Sequence, residues 1–251
     1  SCRACPFALP TLISDCMTTE VSAHLIALQS GRWFAQLPPE FAAALLRMGR
    51  IRQLTVGQSL FLRGDPPCGL YAVLRGALTV SGTGGRSDDA RSALLTRLEP
   101  PQWFGEISVF DGNVRSHDAV AAEPCTLLHV PNEPLQEWLR GHPEHWHALA
   151  LLVTDKLRTA FIALEDAALL PAPQRLARRL VMMAEGYGQW NADGLTRRVI
   201  ALSQEQLSQM LSISRQTTNQ ILKDLEARQL VRVQRGEVEI MDLAGLRRTY
   251  A

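Results

Sequence analysis

Apolar residues along this chain follow two different periods, and the switches between them divide it. Residues 20–50 read as helical: Pro38-Pro39-Glu40 stands where a helix begins, and Phe41, Leu45, Leu46 and Met48 supply an apolar face. From 51 to 131 the texture changes to short apolar runs at 54–56, 60–62, 70–74, 77–80, 93–98, 119–121 and 126–130. Gly57, Gly64-Asp65-Pro66-Pro67, Gly76, Gly84-Gly85 and Pro100-Pro101 stand between them. Short strands at near-regular spacing with turn chemistry between them predict a β-barrel or jelly roll. Residues 81–92 are polar and glycine-rich and read as a flexible hairpin tip.

Helical periodicity returns at 132–140 and then dominates. Over 143–170 Trp146, Leu149, Val153, Leu157, Ala160, Leu164 and Ala167 recur three or four residues apart, with no Gly or Pro after Pro143. This heptad-like stripe predicts a dimer seam centred on Val153, Leu157, Ala160 and Leu164; the alternative is a helix lying along its own domain. The chain breaks at Pro171-Ala172-Pro173 and resumes as a helix over 174–185, stopped by Gly186.

The sharpest local signal lies near the end. Ser203 is an N-cap, and Gln206 three residues on completes a capping-box pattern for a short helix over 204–211 that turns Leu207, Met210 and Leu211 inward. Ser212-Ile213-Ser214 makes a tight turn, and a second helix runs from about 215 to 228 with Ile221, Leu222 and Leu225 on its buried face. Arg215, Gln216, Asn219, Gln220 and Lys223 remain on the other. Short helix, turn, longer helix is the helix-turn-helix arrangement, and the exposed types are those that read base edges: Arg for guanine, Asn and Gln for adenine. A ribbon over 230–234 and 237–241, with Arg235-Gly236 at its tip, reads as the wing of a winged helix.

Charge supports this division. The net charge of +1 over 251 residues names no polyanionic partner. Split at Pro171, residues 1–171 hold 14 Lys and Arg against 17 Asp and Glu, whereas residues 172–251 hold 12 against 8. A basic module on a mildly acidic one is the asymmetry of a nucleic-acid binder. No apolar run reaches the ~18 residues of a membrane helix and no export signal is visible, so the expected location is the cytoplasm. Five cysteines, at 2, 5, 16, 68 and 125, then read as reduced thiols. Cys2, Cys5 and Cys16 with Cys125 could hold a metal or cluster, but unliganded thiols in a loose segment is the preferred reading, and Met17 is a candidate natural start. His142, His145 and His147 beside Glu144 could likewise ligate a metal; a solvated helix start with Trp146 buried is preferred, and no metal is expected. Asp88-Asp89 reads as a solvated loop. No nucleophile arrangement or Walker loop is visible, so no enzyme is expected.

Together the two halves, over 33–243, resemble the cyclic-AMP receptor protein and fumarate–nitrate regulator (Crp/Fnr) family of bacterial transcription factors. The most specific stretch runs from Phe104-Gly105-Glu106 to Arg115-Ser116 and is similar to the phosphate-binding cassette of cyclic-nucleotide domains. The resemblance implies an α+β chain: an N-terminal segment (1–32), disordered in part; a sensory β-roll, or jelly roll (33–142); a dimerisation helix (143–170); and a winged helix-turn-helix (171–251). It implies a homodimer binding double-stranded DNA and RNA polymerase, with a cyclic nucleotide as candidate effector; the alternatives are a ligand-binding regulatory module acting through protein partners, or a member whose roll binds no nucleotide. The candidate ligand residues are Gly105, Glu106, Ile107, Ser108, Arg115 and Ser116: backbone approach at Gly105, a helix N-terminus at 107–110, Glu106 for a ribose hydroxyl, and an Arg115 fork for the phosphate. The alternative role for Glu106 and Arg115 is a structural ion pair. The candidate DNA residues are Ser203, Ser214, Arg215, Gln216, Thr217, Asn219, Gln220 and Lys223, with Ser203 and Thr217 facing phosphate.

Three departures narrow the expectation. Ala160 and Phe161 stand where cyclic-AMP-responsive members carry a Thr-Ser pair for the adenine, and His117-Asp118 replaces small residues. The roll ligand of the iron–sulfur branch falls on Leu128, three residues from Cys125 and on the opposite strand face, which disfavours a cluster. In the reading helix Gln216 and Gln220 replace Glu and Arg, so the family's usual half-site is not assumed.

Overall fold

The computed structural model describes residues 24–84, 91–190 and 196–250. Cys2, Cys5, Cys16 and Asp88-Asp89 lie outside them. Helices α1 (Leu25–Gln29), α2 (Arg32–Ala35) and α3 (Pro39–Met48) lead into strands β1 (Arg50–Leu54), β2 (Ser59–Phe61), β3 (Gly69–Arg75), β4 (Leu78–Gly84), β5 (Arg91–Leu98) and β6 (Trp103–Phe104). A short helix α4 (Glu106–Asp111) precedes β7 (Asp118–Ala121) and β8 (Cys125–Pro131). Next come α5 (Asn132–Gly141), a 3-10 turn (Pro143–His145), the long α6 (Trp146–Leu169) and α7 (Ala172–Ala184). The chain ends with β9 (Val199–Ile200), α8 (Gln204–Leu211), α9 (Arg215–Ala227), β10 (Val231–Gln234), β11 (Glu237–Ile240) and α10 (Leu243–Arg248).

Two antiparallel four-stranded sheets, ordered β1-β8-β3-β6 and β2-β7-β4-β5, form the roll. Strand alternation sorts their side chains into two cores. Tyr71, Val73, Cys125 and Leu127 point between the sheets, with Phe61, Leu78 and Phe104. Leu70, Ala72, Leu128 and Val130 point outward, onto Leu28, Trp33, Phe41, Leu135, Leu149 and Leu152 of the helices. β3 is therefore apolar on both faces, and this is why its run 70–74 is continuous. Cys125 and Leu128 face different cores, as three residues of strand require.

Several expectations are corrected. Leu25 and Leu28 are buried in the helical core, so the ordered roll begins before residue 33. The hairpin strands extend into the stretch expected to be a flexible tip: β4 runs to Gly84 and β5 starts at Arg91. At the start of the long helix, His145 is the buried residue, packed against both Phe41 and Trp138 with ring centroids at 5.3 and 5.0 Å, while Trp146 is half-buried against Phe110. A ring packed against an aromatic pair is desolvated whatever its place in the helical stripe.

α6 divides lengthwise. Leu149 and Leu152 are wholly buried by the roll, Val153 is half-buried, and Leu157, Ala160, Phe161 and Leu164 are exposed. Beyond the break, α7 to α10 enclose a second core around Leu176, Leu180, Leu207, Leu222, Leu225 and Val238. Leu94 of β5 joins that core and Arg197 pairs with Glu99, so the two domains meet along the β4–β5 hairpin. None of the described helices is long and apolar enough to cross a membrane.

Candidate effector and DNA-binding sites

The β6–α4 corner is built on Gly105, whose φ is 96°. A Cβ there would stand 2.7 Å from the Gly69 carbonyl oxygen and 3.1 Å from the Arg115 guanidinium. The glycine is thus required by two of the chain's own groups, a tighter constraint than approach of a ligand. Gly112, at the other end of α4, shares the left-handed backbone (φ 67°) but has open space around its would-be Cβ. Gly105→Ala is expected to lower unfolding free energy by about 1–3 kcal/mol more than Gly112→Ala in urea melts, because only the first adds a backbone clash to the left-handed strain. Equal losses would contradict this account.

Glu106 and Arg115 are both buried, at 2 and 3% exposure, and each has other partners than its neighbour. Glu106 accepts a hydrogen bond at 2.5 Å from the Lys156 ammonium on α6. Arg115 donates to the carbonyl oxygens of Gly105 (3.0 Å) and Gly69 (2.6 Å) and to Cys68 Sγ (3.0 Å), with its guanidinium 4.3 Å from the Phe61 ring centre. Among the described residues no carboxylate pairs with Arg115, and its buried Nε has no partner. A buried cation left without a counter-ion, held at a fixed angle by carbonyls, is the chemistry of an anion site. The structural ion pair between Glu106 and Arg115 is not formed.

Around this pair, Ser108 is buried, Ile107 is half-exposed, and Ser116 is exposed with its hydroxyl 2.9 Å from His117 Nδ1. Burial, followed by the nearby Arg63 charge, lowers the pKa of His117. Below the cassette Tyr71 stacks on His129 at 4.4 Å, and its hydroxyl donates to Cys68 Sγ. Burial raises the Tyr71 phenol and lowers the His129 imidazole. Sequence reading missed Lys156, Cys68, Gly69 and Phe61. Lys156 had one available signal, as a cation beside the apolar seam.

At the other end of the chain, the capping box of α8 is complete: Gln206 N–H donates to Ser203 Oγ, and Ser203 N–H to Gln206 Oε1. Ser212 turns the chain with φ 54°, and Ser214 caps α9 by accepting from Thr217 N–H at 2.9 Å. α9 buries Ile221, Leu222, Leu225 and also Thr218, whose hydroxyl donates to the Ser214 carbonyl. Arg215, Gln216, Thr217, Gln220 and Lys223 are exposed and Asn219 half-buried, so the polar stripe lies along one open helix face. The β10–β11 wing pairs Val231 with Ile240 and Gln234 with Glu237, which places Arg235-Gly236 at its tip.

A roll carrying a buried cassette, a long helix and an open winged helix-turn-helix define a transcription regulator with a cyclic-nucleotide-binding-type domain. Comparison with known proteins agrees. Residues 51–142 match the cyclic nucleotide-binding domain model and residues 174–249 the Crp-like helix-turn-helix domain model. The chain is 29% identical over 215 residues to the CRP-like cAMP-activated global transcriptional regulator of Mycobacterium tuberculosis, covering 86% of this chain and 94% of that one. It is 29% identical over 214 residues to the cyclic AMP receptor protein of Thermus thermophilus, covering 84% and 93%. Among solved structures it is similar to the c-di-GMP responsive global regulator CLP of Xanthomonas campestris, with TM-score 0.62, 20% identity, and coverage of 81% and 99%. The chain belongs to the Crp/Fnr family of transcription regulators.

Proposed function

We propose that this regulator works as a cytoplasmic homodimer whose roll takes an anionic effector, a cyclic nucleotide, at Arg115 and Glu106 and thereby sets the orientation of two α9 helices on DNA. The observation that carries the reading is the Lys156–Glu106 contact. The carboxylate suited to a ribose hydroxyl is held by an ammonium on α6, and the same helix presents Leu157 and Leu164 to solvent one residue and two turns further on. A ligand hydroxyl that competes for Glu106 loosens Lys156, and the change is delivered directly to the dimer seam. Arg115, with its unpartnered Nε, suits the phosphate. The adenine half is poorer, because Ala160 and Phe161 offer no side-chain hydrogen bond to a base amine. Ser203 and Thr217 supply phosphate contacts, Ser214 shapes the first turn of α9, and Arg215, Gln216, Asn219, Gln220 and Lys223 line the groove-facing side. RNA polymerase is the expected further partner.

Calorimetry with cyclic AMP, cyclic GMP and cyclic di-GMP tests the effector. One of the three is expected to bind. Arg115→Gln should weaken that binding by about 1.5–3 kcal/mol, the worth of a charge-assisted hydrogen bond, with the fold checked by circular dichroism. Micromolar binding of cyclic AMP would overturn the argument from Ala160 and Phe161. Heat from none of the three would remove the nucleotide from the proposal and leave the DNA-binding role standing.

A further inference from the structure

Far from the cassette, where the 3-10 turn feeds α6, two carboxylates from separate elements converge on one imidazole nitrogen. Glu40 Oε1, in the first turn of α3, lies 2.6 Å from His145 Nε2, and Glu144 Oε1 lies 3.8 Å from the same atom. The three donor atoms are all within 4.8 Å of one another. Among the described residues no Lys or Arg pairs with either carboxylate. Nε2 carries at most one proton, which serves one carboxylate and leaves the other without a hydrogen bond from that nitrogen.

The imidazole is also held in place in advance. It is 5% exposed and packs against both rings of the stacked Phe41–Trp138 pair, at 23° between ring planes for each. Glu40 and Glu144 are 63 and 62% exposed, so they can move and water can complete a coordination shell. Donors around a first-row divalent ion stand about 3.3 Å apart when each bond is about 2.0–2.2 Å. The existing separations bracket that spacing, and adjustment of two mobile carboxylates closes it.

We infer that Glu40, Glu144 and His145 form a site for a divalent first-row transition ion, with zinc as the working probe. A one-imidazole, two-carboxylate set with open positions suits such an ion and leaves calcium and magnesium, which prefer all-oxygen shells, less favoured. Binding shifts the ring proton from Nε2 to Nδ1 and replaces the hydrogen bond to Glu40 by a metal bond. The ion would fasten the first turn of α3 to the base of α6, about 100 residues away in the chain.

The test is zinc titration of the full-length protein by calorimetry, beside Glu40→Gln, Glu144→Gln and His145→Gln. One equivalent removed at least tenfold by Glu144→Gln is the expected result. Because Glu144 is exposed and, among the described residues, has no ion pair or side-chain hydrogen bond beyond that approach to His145, the variant is expected to fold whether or not the site exists, and its melting temperature without zinc should match the parent. The thiols at Cys2, Cys5 and Cys16 are the competing zinc ligands. Cobalt substitution separates them, since a nitrogen and oxygen shell lacks the intense near-ultraviolet thiolate-to-cobalt band. No zinc uptake, uptake unchanged in Glu144→Gln, or a thiolate band carrying the whole stoichiometry would each overturn the assignment.

Discussion

Replacing Arg215 by alanine is expected to lower affinity for the operator by about 2–6 kcal/mol, because each bidentate contact to a base is worth about 1–3 kcal/mol and a dimer makes two. Arg215 sits at the first residue of α9, exposed, with its nearest acidic group, Glu205, only at 4.0 Å. Among the described residues, therefore, no closer carboxylate competes for its fork. Gln216→Ala should cost a similar amount and relax the preference at a different base. Lys223→Ala should weaken binding evenly across sequences and flatten the salt dependence by about one unit per copy, the behaviour of a phosphate contact. The measurement is a gel shift on the operator selected by the parent protein from a random DNA pool, repeated at two salt concentrations. Unchanged affinity in both Arg215→Ala and Gln216→Ala would mean that another face of the winged helix reads the DNA.

The second large effect concerns the seam. Leu157→Asp combined with Leu164→Asp should convert the proposed dimer to a monomer and reduce DNA binding to the non-specific level. In the single chain these side chains are 50 and 65% exposed, while Leu149 and Leu152 of the same helix are wholly covered by the roll. Full burial of a leucine is worth about 1.5–3 kcal/mol, so four partly exposed leucines across a two-fold seam account for about 4–6 kcal/mol. Loss of that amount moves a micromolar dimer into the millimolar range, and the acidic replacements add repulsion. Since specific recognition needs both half-sites one helical turn apart, about 34 Å, the monomer forfeits it. Sedimentation velocity and the gel shift check the two parts separately. A variant that stays dimeric would place the interface elsewhere. The Val153 position should tolerate alanine better, being half-covered by its own roll.

Much of the fold was legible in local spacing. The helix-turn-helix appeared with its cap, turn and buried triad in register, because a capping box and a 3.6-residue stripe are written within a few residues of one another. Seven strands of the roll were visible as apolar runs, but β6 and β9, of two residues each, carry too short a pattern to register. Buried Thr218 was not distinguishable from its exposed polar neighbours, since its partner is the Ser214 carbonyl four residues back. The structure brings Glu106 and Arg115 to one corner at Gly105, whereas the partners that hold them, Lys156 and the Gly69 carbonyl, were not legible in the spacing.

By itself the sequence determined most of the elements, the helix break at Pro171, the charge asymmetry hidden within a net of +1, and the polar face that α9 leaves open. These depend on neighbours within one or two turns, where spacing and capping decide. Only the tertiary structure decided that Glu106 answers to Lys156, 50 residues away, that Arg115 is held by carbonyls with no carboxylate partner among the described residues, and that Glu40 meets His145 across 105 residues. Those pairings come from which strands and helices are brought side by side. Burial then makes each partner matter, because a charge out of water must be met by whatever the fold places next to it.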